Sequence, residues 1–264
     1  MKSEPLYNFI GSTYGITRRA DPQIAQTIAG YAGVRPGAAF LDLACGTGNY
    51  TCALAALGGL WHGIDSSSSM LEQARAKSSD VAWASADAAA LPFADRTFDG
   101  AICTLAIHHF PRLDTPFNEV FRVLASGPFV VFTAFPAQMR NYWLGHYFPK
   151  MMERSIEQMP SEDAVVGALR GAGFAVQGIV PFHVTGQLQD LFLYGGKDRP
   201  ELYLAPAVRA NISSFALLCP PEELRSGLDA LSLDIRQQRI ADVIRCYSSA
   251  AGDYAYVIAN KAHA

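Results

Sequence analysis

Short apolar runs recur along the first half of the chain, each followed by a stretch with helical spacing. Ala38–Leu43 is a strand candidate that stops at a glycine-rich turn, and Asn49–Leu57, rich in Ala and Leu, reads as the helix after it. Leu60–Ile64 predicts a second strand that ends at Asp65. Ser68–Ala76 has helical character, with Ser67 or Ser68 as the N-cap. Val81–Ala86, Gly100–Leu105 and Phe129–Ala134 supply the third, fourth and fifth strands. Between the last two, Phe117, Val120, Phe121 and Leu124 recur at the spacing of one helix face, which predicts a helix over Thr115–Leu124. Strands alternating with helices predict βαβ units, right-handed crossovers and a mostly parallel sheet, the doubly wound α/β class.

After Phe135 this rhythm breaks. Residues 138–152 are rich in aromatic side chains, among them Tyr142, Trp143, Tyr147 and Phe148. Glu162–Leu169 predicts a helix closed by Gly171 and Gly173, and Phe174–Val184 a strand. Residues 185 to about 251 are irregular and proline-punctuated, with one predicted helix at Pro221–Ala230; Tyr254–Asn260 alternates as the last strand. One α/β domain over residues 31–264 is expected, preceded by an N-terminal lid region at 1–30. Its late insertions, at about 136–160 and 185–251, would form a helical cap with that lid.

Composition narrows the class. Half of the 264 residues are hydrophobic and 17% are charged, enough to bury a full core, so a disordered chain is excluded. The formal net charge is −3 and no basic cluster exceeds Arg18-Arg19, so no nucleic-acid partner is expected. The five cysteines, at 45, 52, 103, 219 and 246, are odd in number and form no C-x-x-C pair. They read as reduced thiols rather than a disulfide framework or a zinc site, and no metal ligand set is read. The N-terminus lacks the apolar core of a signal peptide, and no apolar run is long enough to span a membrane. A cytoplasmic protein, monomer or homodimer, is the expectation.

The chemistry starts at Leu41-Asp42-Leu43-Ala44-Cys45-Gly46-Thr47-Gly48, a glycine turn between strand and helix. Glycine lets the backbone turn tightly and approach a ligand, and in an open α/β sheet ligands bind at the carboxyl ends of the strands. The dinucleotide fingerprint needs a third glycine where Thr51 stands, and no Gly-Lys-Ser/Thr follows to make a phosphate loop. Asp65 closes the second strand, where a carboxylate can accept bonds from both ribose hydroxyls, and Asp87 closes the third, within reach of an adenine amino group. Phe98-Asp99 opens the fourth strand.

Together these stretches resemble the class I S-adenosylmethionine-dependent methyltransferases, in the broad small-molecule and quinone-methyltransferase-like group. Residues 41–48 resemble the first motif, Asp65 in 63–71 the acid of the second, 85–110 the third and fourth, and 122–124 the next landmark. The family often has glycine where this chain has Ala44. The resemblance implies a Rossmann-like, mostly parallel seven-stranded sheet with an antiparallel last strand, and S-adenosyl-L-methionine as cofactor. It implies that Ala44, Cys45, Gly46 and Gly48 line the methionine part and that Asp65 binds the ribose. Ser66 and Met70 would lie near the adenine, Asp87 and Ala88 against it, and Thr104 and Leu105 beside the sulfonium. An N-terminal helix would fold over the site, bringing Tyr14 near the cofactor and Arg18 to its carboxylate.

Methyl transfer from a sulfonium asks the protein chiefly for positioning and desolvation, with a base only where the acceptor must lose a proton. His108 and His109, just after the fourth strand, are the candidate bases, and Ile107, Tyr142, Trp143 and His146 the candidate acceptor-site residues. The leading expectation is in-line methylation of O, N or C on a small-molecule acceptor. The alternatives are a quinone or lipid-intermediate methyltransferase, with a wide apolar pocket, and a non-catalytic S-adenosylmethionine-binding module.

Overall fold

The predicted alternation is realised as one sheet. The computed structural model describes residues 17–247 and 249–262. Its strands are β1 (Ala39–Leu43), β2 (Leu60–Asp65), β3 (Ala82–Ser85), β4 (Gly100–Thr104), β5 (Gly127–Thr133), β6 (Ala175–Phe182) and β7 (Tyr254–Lys261), ordered β3-β2-β1-β4-β5-β7-β6. β1 pairs in parallel with β2 on one side and β4 on the other, while β7 runs antiparallel between β5 and β6. The reversal of strand order between β1 and β4 opens the crevice where ligands bind in doubly wound sheets.

Strand side chains alternate between two apolar layers. Phe40, Ile102, Val130 and Phe132 point to one face, and Leu41, Leu43, Cys103 and Val131 to the other. Helix α1 (Pro22–Ala32) covers the first face, burying Ile24, Ala25, Ile28 and Ala32. Residues 22–30, the last part of the N-terminal region expected at 1–30, belong to this sheet-covering helix. The sequence carries the signals for α1. Asp21 Oδ1 accepts from the Gln23 and Ile24 amides, Pro22 opens the helix and Gly33 closes it at φ 67°.

Helices α2 (Asn49–Ala55), α3 (Ser68–Lys77) and α4 (Asp114–Val123) form the β1–β2, β2–β3 and β4–β5 crossovers, and Ser67 is the N-cap of α3 through its hydroxyl and the Met70 amide. Between β5 and β6 lie α5 (Pro136–Met139), α6 (Leu144–Tyr147), α7 (Pro149–Glu157) and α8 (Glu162–Gly171). Between β6 and β7 lie α9 (Pro206–Ala210), α10 (Pro221–Arg236) and α11 (Ile240–Cys246). Helix α10 runs past the predicted end at Ala230, because Leu231 is buried and no breaker stands before Gln238, whose φ is 58°. The first apolar layer continues through Met139, Tyr142, Phe148, Phe192 and Phe215 into these late segments without a break.

Candidate active site

The carboxyl ends of β1 to β5 and the segments after β5 and β6 enclose one cavity of about 1260 Å³. This exceeds the roughly 300–1,000 Å³ of a pocket for one drug-sized ligand. On the strand side its wall contains Ala44, Cys45 and Gly46 after β1, Asp65 at the end of β2 with Ser66 and Met70 after it, Asp87 and Ala88 after β3, and Thr104 at the end of β4 with Leu105 after it. Ten residues expected from the sequence thus converge on one wall. His108 and His109 close the same end.

The glycine turn is held by hydrogen bonds to two side chains, Asp65 and Lys77. Asp65 accepts from the Gly46 amide through Oδ2 and from the Ser67 amide through Oδ1, each at 2.8 Å. Lys77 Nζ donates to the Thr47 carbonyl (2.7 Å) and to Asn49 Oδ1 (2.6 Å). Burial raises the Asp65 carboxyl above its ordinary range, against the lowering pull of the Ser67, Gly46 and Ser66 amides. At Gly46, φ is 55° and an added Cβ would meet no protein atom within 4 Å, so the cavity reaches the backbone there.

Gly48 is different. It was expected to line the cofactor, but it does not border the cavity: an added Cβ would stand 2.4 Å from the Trp83 ring and 3.1 Å from Ala74. Trp83 cannot easily yield, since its Nε1 donates to the Ser78 carbonyl at 3.0 Å. Gly48 therefore serves close helix–sheet packing.

Thr51, which removes the third glycine of a dinucleotide site, has its own role. Its hydroxyl donates to Asp42 Oδ2 at 2.6 Å. Asp42 borders the cavity at 2% exposure, and its Oδ1 has no protein partner. Burial pushes its carboxyl up to about 7, opposed by the Thr51 hydroxyl and reinforced by the charge of Asp65. An acid in the middle of an apolar strand was the sequence signal for it.

His108 and His109 pack with ring centroids 3.9 Å apart and their planes tilted by 50°. Burial lowers His108 to about 3, with His109 adding to the shift, and lowers the more open His109 to about 4. Both imidazoles are neutral near pH 7 and weak as bases. His108 Nδ1 and Thr104 Oγ1 are buried without a protein hydrogen-bond partner.

The remaining predictions separate. Tyr142 borders the cavity, stacked on Tyr194 at 3.9 Å and 6°, with its hydroxyl donating to the Asp253 carbonyl. Ile107, Trp143 and His146 do not border it. Ile107 is 1% exposed in the second apolar layer, because the short helical turn at 107–109 points it under the sheet. Trp143 is fully buried among the late helices, with Nε1 donating to the Lys197 carbonyl. His146 is exposed and packs edge-on against Tyr147. Tyr14 lies outside the described residues.

Arg18 borders the cavity, and its Nε donates to Asp190 Oδ1 at 2.6 Å. The wall also contains an apolar group unread in the sequence, Met139, Met159, Phe192, Leu193 and Ile212. These are apolar residues like any core residue, so no local pattern marked them.

The residues fit the cofactor that the resemblance implies. Two strand-end acids stand in order after the glycine turn, a Cβ-free cradle opens at Gly46, and buried polar atoms of Asp42, Thr104 and His108 await partners.

Comparison with known proteins points the same way. Residues 41–132 match a family profile described as a methyltransferase domain. The ubiquinone/menaquinone biosynthesis C-methyltransferase of Roseobacter denitrificans is 31% identical over 168 residues, spanning 53% of this chain and 67% of that protein. The demethylmenaquinone methyltransferase of Desulfitobacterium hafniense is 30% identical over 154 residues, spanning 53% of this chain and 58% of that protein. A candidate methyltransferase from an antibiotic biosynthesis pathway of Anabaena variabilis, solved as a crystal structure, superposes with a TM-score of 0.83. Its identity is 31%, over 92% of this chain and 98% of that one.

Proposed function

The chain belongs to the class I S-adenosylmethionine-dependent methyltransferases, and from that premise we propose that its methyl acceptor is a small, largely apolar molecule. The observation that carries the proposal is the continuity of the cavity from Asp65 and Asp87 to Met139, Tyr142, Met159, Phe192, Leu193 and Ile212. One end suits a nucleoside and the other an apolar body.

When bound, S-adenosylmethionine supplies an already activated methyl group whose transfer releases a neutral thioether. In this reading the chain's own residues do the holding. Asp65 accepts from the ribose hydroxyls with the lone pairs that its two amide donors leave over. Asp87 and Ala88 border the adenine, Met70 packs near it, and Ala44 to Gly46 line the amino-acid part. Thr104 and Leu105 flank the reacting sulfur, and the late segments exclude water from it.

The histidine pair bears on the acceptor atom. An imidazole held near 3 or 4 is a poor general base at neutral pH. His108 and His109 therefore shape and orient in this reading, and the acceptor atom is nucleophilic without a strong base, as in an ionised phenol or an activated ring carbon.

The quinone reading is favoured by the names of the curated relatives, but those matches span 53% of this chain. The Anabaena protein matches 92% of it, cap segments included. That balance supports a specialised-metabolite acceptor over a quinone precursor. The free cysteines among the described residues suit a reducing compartment such as the cytoplasm.

Calorimetry with S-adenosylhomocysteine tests the donor site. Binding to the parent and a loss of about 30-fold or more in Asp65→Ala are expected, from two charge-assisted bonds; unchanged affinity in the variant would mean that the ribose lies elsewhere. Radiolabelled methyl transfer to a panel of phenols, demethylquinols and small hydrophilic amines tests the acceptor. Preference for the amines would sink the apolar reading.

A further inference from the structure

A charged cluster bridges the N-terminal segment, the glycine turn and the loop after β6. Asp190, 1% exposed, accepts from Arg18 Nε (2.6 Å) and Nη2 (3.4 Å) and from the Tyr50 hydroxyl (3.2 Å). Arg18, Tyr50 and Asp190 all border the cavity. The surrounding backbone is tied to the same point. Asn49 Nδ2 donates to the Arg18 carbonyl at 2.8 Å, the Gln189 amide to Asp21 Oδ2 at 3.0 Å, and the Leu191 amide to the Thr17 carbonyl at 3.1 Å. Since Asn49 and Tyr50 open α2 directly after the glycine turn, the cluster stands beside Ala44–Gly46, with Asp65 and Asp87 further along the strand ends.

We propose that Asp190 belongs to the methyl-donor site: with Arg18 and Tyr50 it forms an oppositely charged receptor for the zwitterionic amino-acid end of S-adenosylmethionine. This rests on the donor reading above and adds a residue to it from the loop after β6. The physical reason is charge matching. A buried guanidinium alone would suit the donor's carboxylate but leave its ammonium in a dry wall without a counter-charge, and Asp190 supplies that charge. Its two links to Arg18 also fix the guanidinium's plane, which a bidentate partner requires. The same contact ties the cap to the donor, so that occupation of the amino-acid subsite and ordering of the 185–199 loop favour each other.

The test compares two probes by calorimetry, S-adenosylhomocysteine and 5′-methylthioadenosine, which keeps the adenosine and lacks the amino-acid end. Asp190→Asn is expected to weaken S-adenosylhomocysteine by about tenfold or more, the size of a lost charged contact, and to leave methylthioadenosine within about twofold. Asp190→Glu should restore part of the difference. Tyr50→Phe, which removes one hydroxyl from the same carboxylate, should weaken S-adenosylhomocysteine alone by a smaller factor and covers the case in which Asp190→Asn does not fold. Parallel loss of both probes, or unchanged or tighter S-adenosylhomocysteine binding, overturns the proposal. Failure of the parent to bind either probe would instead remove the donor reading on which it rests.

Discussion

At the scale of single residues, the strand ends hold the strain. Ala44 has φ 57° and Leu105 φ 53°, both in the left-handed region that disfavours side chains, and they sit on neighbouring strands at the cavity wall. The glycine common in the family at position 44 is thereby explained, since the turn needs a positive φ. Ala44→Gly is expected to stabilise the fold by roughly 0.5–1 kcal/mol, read as a higher urea midpoint at unchanged slope. A lower midpoint would show that the neighbouring contacts, not the dihedral, decide this position.

Asp42 makes a pH-dependent prediction. Its folded value, near 7, lies above its ordinary 3.8. The folded protein therefore holds a proton that the unfolded chain has released, and the stability from this group falls as pH rises from about 4 through 7. Asp42→Asn keeps a hydrogen-bond acceptor for Thr51 and cannot ionise. The midpoint difference between Asp42→Asn and the parent should grow in favour of the variant between pH 5 and 8. The histidine pair shifts stability in the opposite sense, being depressed, but is common to both proteins and cancels. A difference that is flat with pH would mean that Asp42 ionises normally.

At the scale of elements, caps separate what a local pattern shows from what it hides. Asp21 before α1 and Ser67 before α3 are capping residues beside their own helices, visible in the sequence. Helix α7 is capped from afar. Glu223 in α10 accepts from the Lys150 and Met151 amides, each at 2.9 Å. No reading of residues 145–157 could supply that partner, because it lies more than seventy residues along the chain. Glu223→Ala should cost about 1–2 kcal/mol and loosen the cap, measured as faster amide exchange over 149–157, whereas Glu223→Gln should retain much of the stability. Equal exchange in Glu223→Ala and the parent would show that packing alone holds α7. The aromatic run at 142–148 illustrates the same limit. Its side chains divide between the cavity wall (Tyr142), the core (Trp143) and solvent (His146), and the packing of distant segments around them decides which goes where.

At the scale of the molecule, one apolar layer runs from α1 through the sheet face into the late helices, so the cap and the donor site share a core. Ligand binding should therefore stabilise the whole. S-adenosylhomocysteine at about a hundred times its Kd is expected to add about 2.7 kcal/mol, raising Tm by roughly 5–10 °C in one cooperative transition. Two separate transitions, with only one moved by ligand, would show that the cap unfolds independently.

The sequence by itself determined the alternating sheet, the glycine turn with its ordered acids and, through the resemblance they carry, the methyl donor. Those signals are local, since strand period, caps and turn glycines act through near neighbours in the chain. Tertiary structure decided that Gly48 serves packing, that Asp42 and Thr51 form a buried pair, that Asp190 reaches Arg18, and that Met139, Phe192 and Ile212 border the cavity. Each of these depends on which distant segments meet, and burial, dihedral and charge pairing are properties of that meeting rather than of any one stretch.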